Sequence, residues 1–166
     1  QQMVKKIYFP RLVIPLSKAI TGLVDLGINL ILIAVLLIYF GFTPSHNIIF
    51  LPLFIVTAII SGLTAGIWMS ALTIRYRDFQ YITPMILRIG MFVTPISYPA
   101  SAVPENYRML FYINPVAGIV EGMRWSILGG EPINPYSYIS FTVILLLLIF
   151  GIFYFNKVEK IMPDII

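Results

Sequence analysis

The stretch ISFTVILLLLIFGIFYF, residues 139–155, carries no charged side chain. Wound as a helix, its 17 residues rise about 26 Å, close to the ~30 Å hydrocarbon core of a bilayer. A helix apolar on every side needs an apolar surrounding, and this one is predicted to face lipid over much of its surface. Working outward, four stretches have that character: 19–41, 48–73, 79–98 and 138–156. The third holds Pro84 and Pro95, which predict kinks, with Arg88 between them. Of the 166 residues 59% are hydrophobic and 11% charged, against roughly 25% charged in a soluble domain. The chain therefore reads as an all-α integral membrane protein with four transmembrane helices.

Basic residues orient it. Lys5, Lys6, Arg11 and Lys18 precede the first span, Arg75 and Arg77 separate the second from the third, and Lys157 and Lys160 follow the fourth. Eight of the eleven thus fall on one side, with Arg108 and Arg124 on the other and Arg88 within a span. The positive-inside rule predicts that both termini of the chain are cytoplasmic, and that the Thr43–Asn47 turn and the 99–137 segment face outward. Basic residues scattered between apolar spans make no phosphate-binding patch, so nucleic acid is not an expected partner.

The outward segment contains NPVAGIVEGMRWSILGG at 114–130. Pro104 starts one short helix; Asn114 is a candidate N-cap for a second, with Pro115 at its first position and Gly129–Gly130 as its stop. Val116, Ile119, Val120, Met123 and Ile127 recur at helical spacing. Residues 116–128 span only about 20 Å, too short to cross. Two arrangements fit: a pair dipping into the outer leaflet and returning, or a pair lying flat on the surface. Glu121 and Arg124, three residues apart, form a candidate ion pair on its polar face.

No P-loop, HExxH motif, carboxylate cluster or Ser/His/Asp arrangement is present; cysteine is absent, and the single His46 sits in a turn. Catalysis, a metal site and a resident cofactor are not expected of this chain. Ser17, Thr21, Asp25 and Asn29 recur every four residues along the first span, either facing a conduit or forming a hydrogen-bonding seam between helices. Ala58, Gly62, Gly66 and Ser70 make a small-residue ladder in the second span, read chiefly as packing within the chain. The cost of isolated intramembrane charge motivates an Asp25–Arg88 pair. Aromatic residues near span ends, such as Tyr39, Phe40, Tyr98 and Tyr154, fit an interfacial belt, with stacking against sugar rings the alternative.

Several segments, in order, resemble the permeases of type-2 ABC exporters that move O-antigen, capsule or teichoic-acid polymers. They are VKKIYFPRLVIPLSKAITGLVD at 4–25, IRYRDFQYITPMILRIGMFVTPISYP at 74–99, VPENYRMLFYINPVAGIVEGMRWSILGG at 103–130 and KVEKIMPDII at 157–166. The resemblance implies a six-span subunit, so an N-terminal helix and two spans are expected beyond the start of this chain. It implies a second permease copy, a separate P-loop ATPase subunit carrying ATP and magnesium, and a lipid-linked polymer as substrate. Residues 1–18 then become a cytoplasmic coupling segment, with Lys5, Lys6, Tyr8, Phe9, Pro10 and Arg11 as candidates for meeting the ATPase. Residues 157–166 become a cytoplasmic tail, and 104–128 a re-entrant outer gate with Asn114, Pro115, Glu121, Arg124 and Trp125 as candidates. Asp25, Asn29, Arg88 and Tyr98 are the channel candidates; Arg88 stands where the family leads one to expect a neutral polar residue.

The expectation is a multi-pass permease of the bacterial or archaeal cytoplasmic (inner) membrane, embedded among membrane lipids and exporting a lipid-linked polysaccharide or polyol-phosphate polymer. An ion-coupled secondary transporter and a non-catalytic membrane scaffold are the alternatives.

Overall fold

A computed structural model describes residues 13–76, 78–94, 96, 98, 100–130 and 132–159, with side chains from residue 21 to 158. The described residues are helical, without a strand. The coupling candidates Lys5, Lys6, Tyr8, Phe9, Pro10 and Arg11, and the 160–166 end of the tail, lie outside the described residues. The chain divides into two compact units, Gln1–Thr43 and Pro44–Ile166.

The first unit contributes α1, Val13–Tyr39. Its Thr21–Tyr39 part is long and apolar enough to cross a membrane, and none of those side chains is buried. Asn29 turns its amide back on its own helix, Nδ2 donating to the Asp25 carbonyl at 2.8 Å. Tyr39 and Phe40 close the helix edge to face, with ring centroids 5.3 Å apart.

The second unit begins with a 3-10 turn, His46–Phe50, that runs into α2, Leu51–Arg75. It continues through α3, Phe79–Val93; α4, Glu105–Tyr112; α5, Pro115–Leu128; and α6, Ser137–Glu159. His46–Arg75 and Ser137–Val158 have the length and apolarity of spans, whereas α3 is a shorter apolar helix. It stops five residues before the end of the stretch expected from sequence. Thr94 precedes Pro95, whose ring disfavours helical backbone in the residue before it, and Thr94 is extended at ψ 138°. Its backbone N and its Oγ1 both donate to the Gly90 carbonyl, which finishes the helix.

α2 and α6 run side by side in the same direction. Phe54 meets Phe141 near their first turns, with centroids 6.3 Å apart. Further along, Trp68 Nε1 donates to the Leu147 carbonyl at 2.8 Å and its ring stacks on Tyr154 at 5.5 Å. At the far end Arg75 Nη1 donates to Tyr154 Oη at 3.4 Å. This register needs Gly151, because a Cβ there would lie 2.8 Å from the Trp68 nitrogen. The distance from Phe54 to Arg75 along the helix is about 32 Å.

α5 lies against the starting ends of both long helices. The ladder Gly118, Gly122 and Ser126 is buried along its contact face. A Cβ on Gly118 would sit 2.9 Å from that of Ser140 on α6, and one on Gly122 only 2.1 Å from the Phe54 ring on α2. The ladder read in α2 behaves otherwise: Gly62 and Gly66 are exposed, with nothing described in the second unit within 4 Å of a Cβ on either. The close backbone approach within this unit therefore uses α5.

Filling Gly122 tests the packing. Gly122→Val in the full-length protein should lower its thermal stability in detergent by about 1–3 kcal/mol, the usual cost of overpacking. Adding Phe54→Ala should recover part of the loss; strictly additive losses would show that ring and glycine do not meet.

Candidate functional site

α4 and α5 sit where the starts of α2 and α6 meet the exit of α3, at the end opposite the Tyr76–Asp78 turn. Three sets of hydrogen bonds hold them. At the first, Asn114 caps α5: its Oδ1 accepts from Val116 N at 3.0 Å, while Pro115 supplies the first helical position and needs no partner. The amide of the same side chain reaches α3, Nδ2 donating to Thr94 Oγ1 at 3.2 Å and to the Val93 carbonyl at 3.4 Å. One residue thus starts α5 and ties it to the end of α3.

The second set centres on Ser140, which is wholly buried. Its Oγ lies 2.8 Å from the Tyr112 carbonyl and 3.0 Å from that of Asn114, and accepts from Gly118 N at 3.2 Å. It gives a partner to the Tyr112 carbonyl at the end of α4 and to the Gly118 N–H in the first turn of α5, and a second one to the Asn114 carbonyl, which also accepts from Ala117 N. The third set centres on Glu121, whose Oε2 accepts from the Tyr112 hydroxyl and from Ser137 Oγ, the latter at 3.3 Å. A half-buried carboxylate is tolerable when hydrogen-bonded in this way. The Tyr112 phenol is pushed well above its ordinary value, first by burial and then by the Glu121 carboxylate.

At the other end of α5, Gly129 (φ 70°) and Gly130 (φ 93°) turn the chain in the left-handed region. The Ile127 carbonyl accepts from Ser45 N at 3.1 Å, fastening the helix end to the entry of α2. Trp125 packs on Phe50, with centroids 5.6 Å apart. Arg124 does not join Glu121 as the sequence invited. Its Nη2 donates to the Ile96 carbonyl at 3.4 Å and its Nη1 to the Tyr98 carbonyl at 3.5 Å, bridging α5 to the segment leaving α3. Asn114 and Arg124 therefore grip the same exit from two points on one helix.

Between these elements opens a cleft of about 420 Å³, bordered by Arg108, Glu121, Arg124, Trp125 and Asn134. Arg108 donates from Nε to the Val103 carbonyl and from Nη1 to Glu105, both at 3.4 Å. No group of three or more His, Cys, Asp or Glu side chains among the described residues is placed to hold a metal ion.

The structure thus brings Asn114, Pro115, Glu121, Arg124 and Trp125 into one assembly. Tyr98 joins it through its carbonyl, and its ring lies 6.2 Å from that of Phe111. Arg88 stands apart on the exposed surface of α3, and Asp25 and Asn29 belong to the first unit. Sequence reasoning passed over Tyr112, Ser137 and Ser140, whose partners lie in other elements. The Gly118–Gly122–Ser126 spacing was the available signal for the packing face of α5.

With this geometry in view, the chain defines a multi-helix membrane protein carrying a short, non-spanning helix pair at one end of its long helices. Its residues 2–128 match the ABC-2 type transporter family, and the chain belongs to that membrane family. Two proteins of Klebsiella pneumoniae, each named O-antigen export system permease protein RfbA, are 30% identical to it over 169 aligned positions. Each alignment covers 99% of this chain and 64% of the relative. A protein of the same name from Myxococcus xanthus is 25% identical over 122 positions, covering 72% of this chain and 47% of that protein. The chain thus spans a little under two thirds of the length of the Klebsiella relatives.

Two outcomes test the hydrogen-bonded anchors. Asn114→Ala should cost about 1 kcal/mol of stability for the cap alone, and more for the lost tie to α3. Tyr112→Phe should lose about 1.5–3 kcal/mol near neutral pH, the range for a hydrogen bond to a charged group. A raised phenol pKa adds stability that is complete below the unfolded value of 10.0 and declines as pH rises beyond it. The gap between wild type and Tyr112→Phe should accordingly narrow above pH 10.0, as read from thermal midpoints across pH.

Proposed function

We propose that this chain forms part of the permease of an ATP-driven exporter that moves a lipid-linked polysaccharide across the cytoplasmic membrane. The observation that carries the reading is the match to O-antigen export permeases along 99% of the chain. ATP and magnesium belong to a separate P-loop ATPase subunit, and two permease copies enclose the path. The coupling segment at 1–18 meets the ATPase, and its movement is passed to the spans.

In this reading both ends of the chain are cytoplasmic, and α4–α5 is a re-entrant pair at the outer end. The charge pattern supports that orientation, because Arg75 and Lys157 lie at the end of α2 and α6 remote from the short pair. Motion of α3 reaches α5 through Asn114 and Arg124, so the outer gate responds to events at the turn near Asp78. This chain itself carries out transport rather than covalent chemistry.

The test is genetic and biochemical. Deleting the gene for the full-length protein should remove its polysaccharide from the cell surface and leave lipid-linked polymer inside. Abolishing ATP hydrolysis in the partner should give the same phenotype. Export that continued without ATP hydrolysis and followed an ion gradient would instead establish a secondary transporter.

A further inference from the structure

We infer that the shared end of α2 and α6, remote from the short helix pair, is a binding site for an anionic phospholipid of the bilayer. Arg75 and Lys157 hold its phosphate, and an exposed apolar stripe on α6 lies along its acyl chains. The inference rests on the proposed orientation, which puts this end at the cytoplasmic surface, and is independent of what the exporter carries.

The guanidinium of Arg75 is held in place without being neutralised. Its Nη1 donates to Tyr154 Oη at 3.4 Å, and its central carbon lies 5.4 Å from the centroid of the Tyr76 ring. Neither contact is to a carboxylate. The Nε–Nη2 edge has no hydrogen-bond partner among the described residues, and that edge matches two oxygens of a phosphate. Lys157 follows Tyr154 by three residues on α6, about one turn closer to the helix end, and is exposed. Neither cation forms an ion pair among the described residues, although Asp78 stands only three residues after Arg75. Two positive charges, one from each helix, thus stand about one phenol without a counter-ion.

What lies below the charges selects the ligand. Leu146, Phe150, Phe153 and Lys157 follow one another at helical spacing and all are exposed. They give α6 an apolar stripe about 16 Å long, topped by an ammonium group. Beside it Trp68 stacks on Tyr154 with centroids 5.5 Å apart, about 10 Å deeper than Arg75 along α2. A soluble acidic partner would reach the cations and leave the stripe uncovered. An anionic phospholipid meets both, with its phosphate at the cations and its acyl chains on the stripe. The cytoplasmic leaflet supplies the anion, since its negative surface attracts basic groups at the ends of spans.

The probe is phosphatidylglycerol with a diazirine in one acyl chain. It is present at trace level in phosphatidylcholine nanodiscs that hold the full-length permease with its ATPase. Light should cross-link it to residues 146–157, and the same diazirine on phosphatidylcholine should label this stretch at least fivefold less. Labelling by the glycerol probe should fall at least fivefold when Arg75→Gln and Lys157→Gln are combined. Lys157→Gln alone changes an exposed side chain without a partner, so the fold is kept, and labelling should fall at least twofold. Equal labelling by the two probes, or labelling unchanged in both variants, would overturn the inference. So would displacement by a trace of polyprenyl diphosphate, which would give the site to a carrier lipid, or labelling that rises when the ATPase is removed. Failure of the orientation shows separately, as reaction of a cysteine at position 78 from outside intact cells.

Discussion

The second unit depends on how closely α5 approaches α2 and α6. Two glycines make this possible, Gly118 against Ser140 and Gly122 against the Phe54 ring, and any larger side chain at Gly122 would collide with that ring. Such proximity draws backbone and polar groups out of water. Ser140, Ser137 and Tyr112 satisfy them, so the hydroxyls follow from the packing instead of adding to it. Small residues bring the helices together, and hydroxyls make that approach tolerable.

A helix held this way touches three neighbours. Its N-cap, Asn114, touches the end of α3; its middle rests on α2 and α6; its last turn, through Ile127, holds the entry of α2. Arg124 adds a second grip on the α3 exit. Because α3 starts at the turn where α2 ends, one helix joins that turn to the short pair. The Glu105–Arg108 ion pair at 3.4 Å is a different kind of contact, with Glu105 largely exposed, and adds little to this framework.

Much of this was legible in the sequence. Apolar runs of span length, together with the scarcity of charge, define an all-α membrane protein. Asn114, Pro115 and the paired glycines mark the ends of α5 because capping chemistry is local. What escaped the reading was non-local. Glu121 and Arg124 are three residues apart, yet each found a better partner from another element: a phenol and a hydroxyl for the acid, two backbone carbonyls for the base. Small-residue spacing occurs on both α2 and α5, and nothing local says which ladder meets a neighbour in this unit. The early end of α3 was signalled by Pro95, which the reading had taken as a kink within a span.

The proposed function requires α4 and α5 to form a pair whose two ends emerge on the same side of the membrane. The natural chain has no cysteine in this region, so single cysteines are informative once any elsewhere in the full-length protein are replaced. Labelling of intact cells with a membrane-impermeant maleimide, at Glu105→Cys, Pro132→Cys and Asp78→Cys, measures sidedness directly. The account predicts that positions 105 and 132 react from outside, whereas position 78 reacts only after the membrane is permeabilised. Labelling of 105 and 132 from opposite sides would make this segment a crossing and contradict the account.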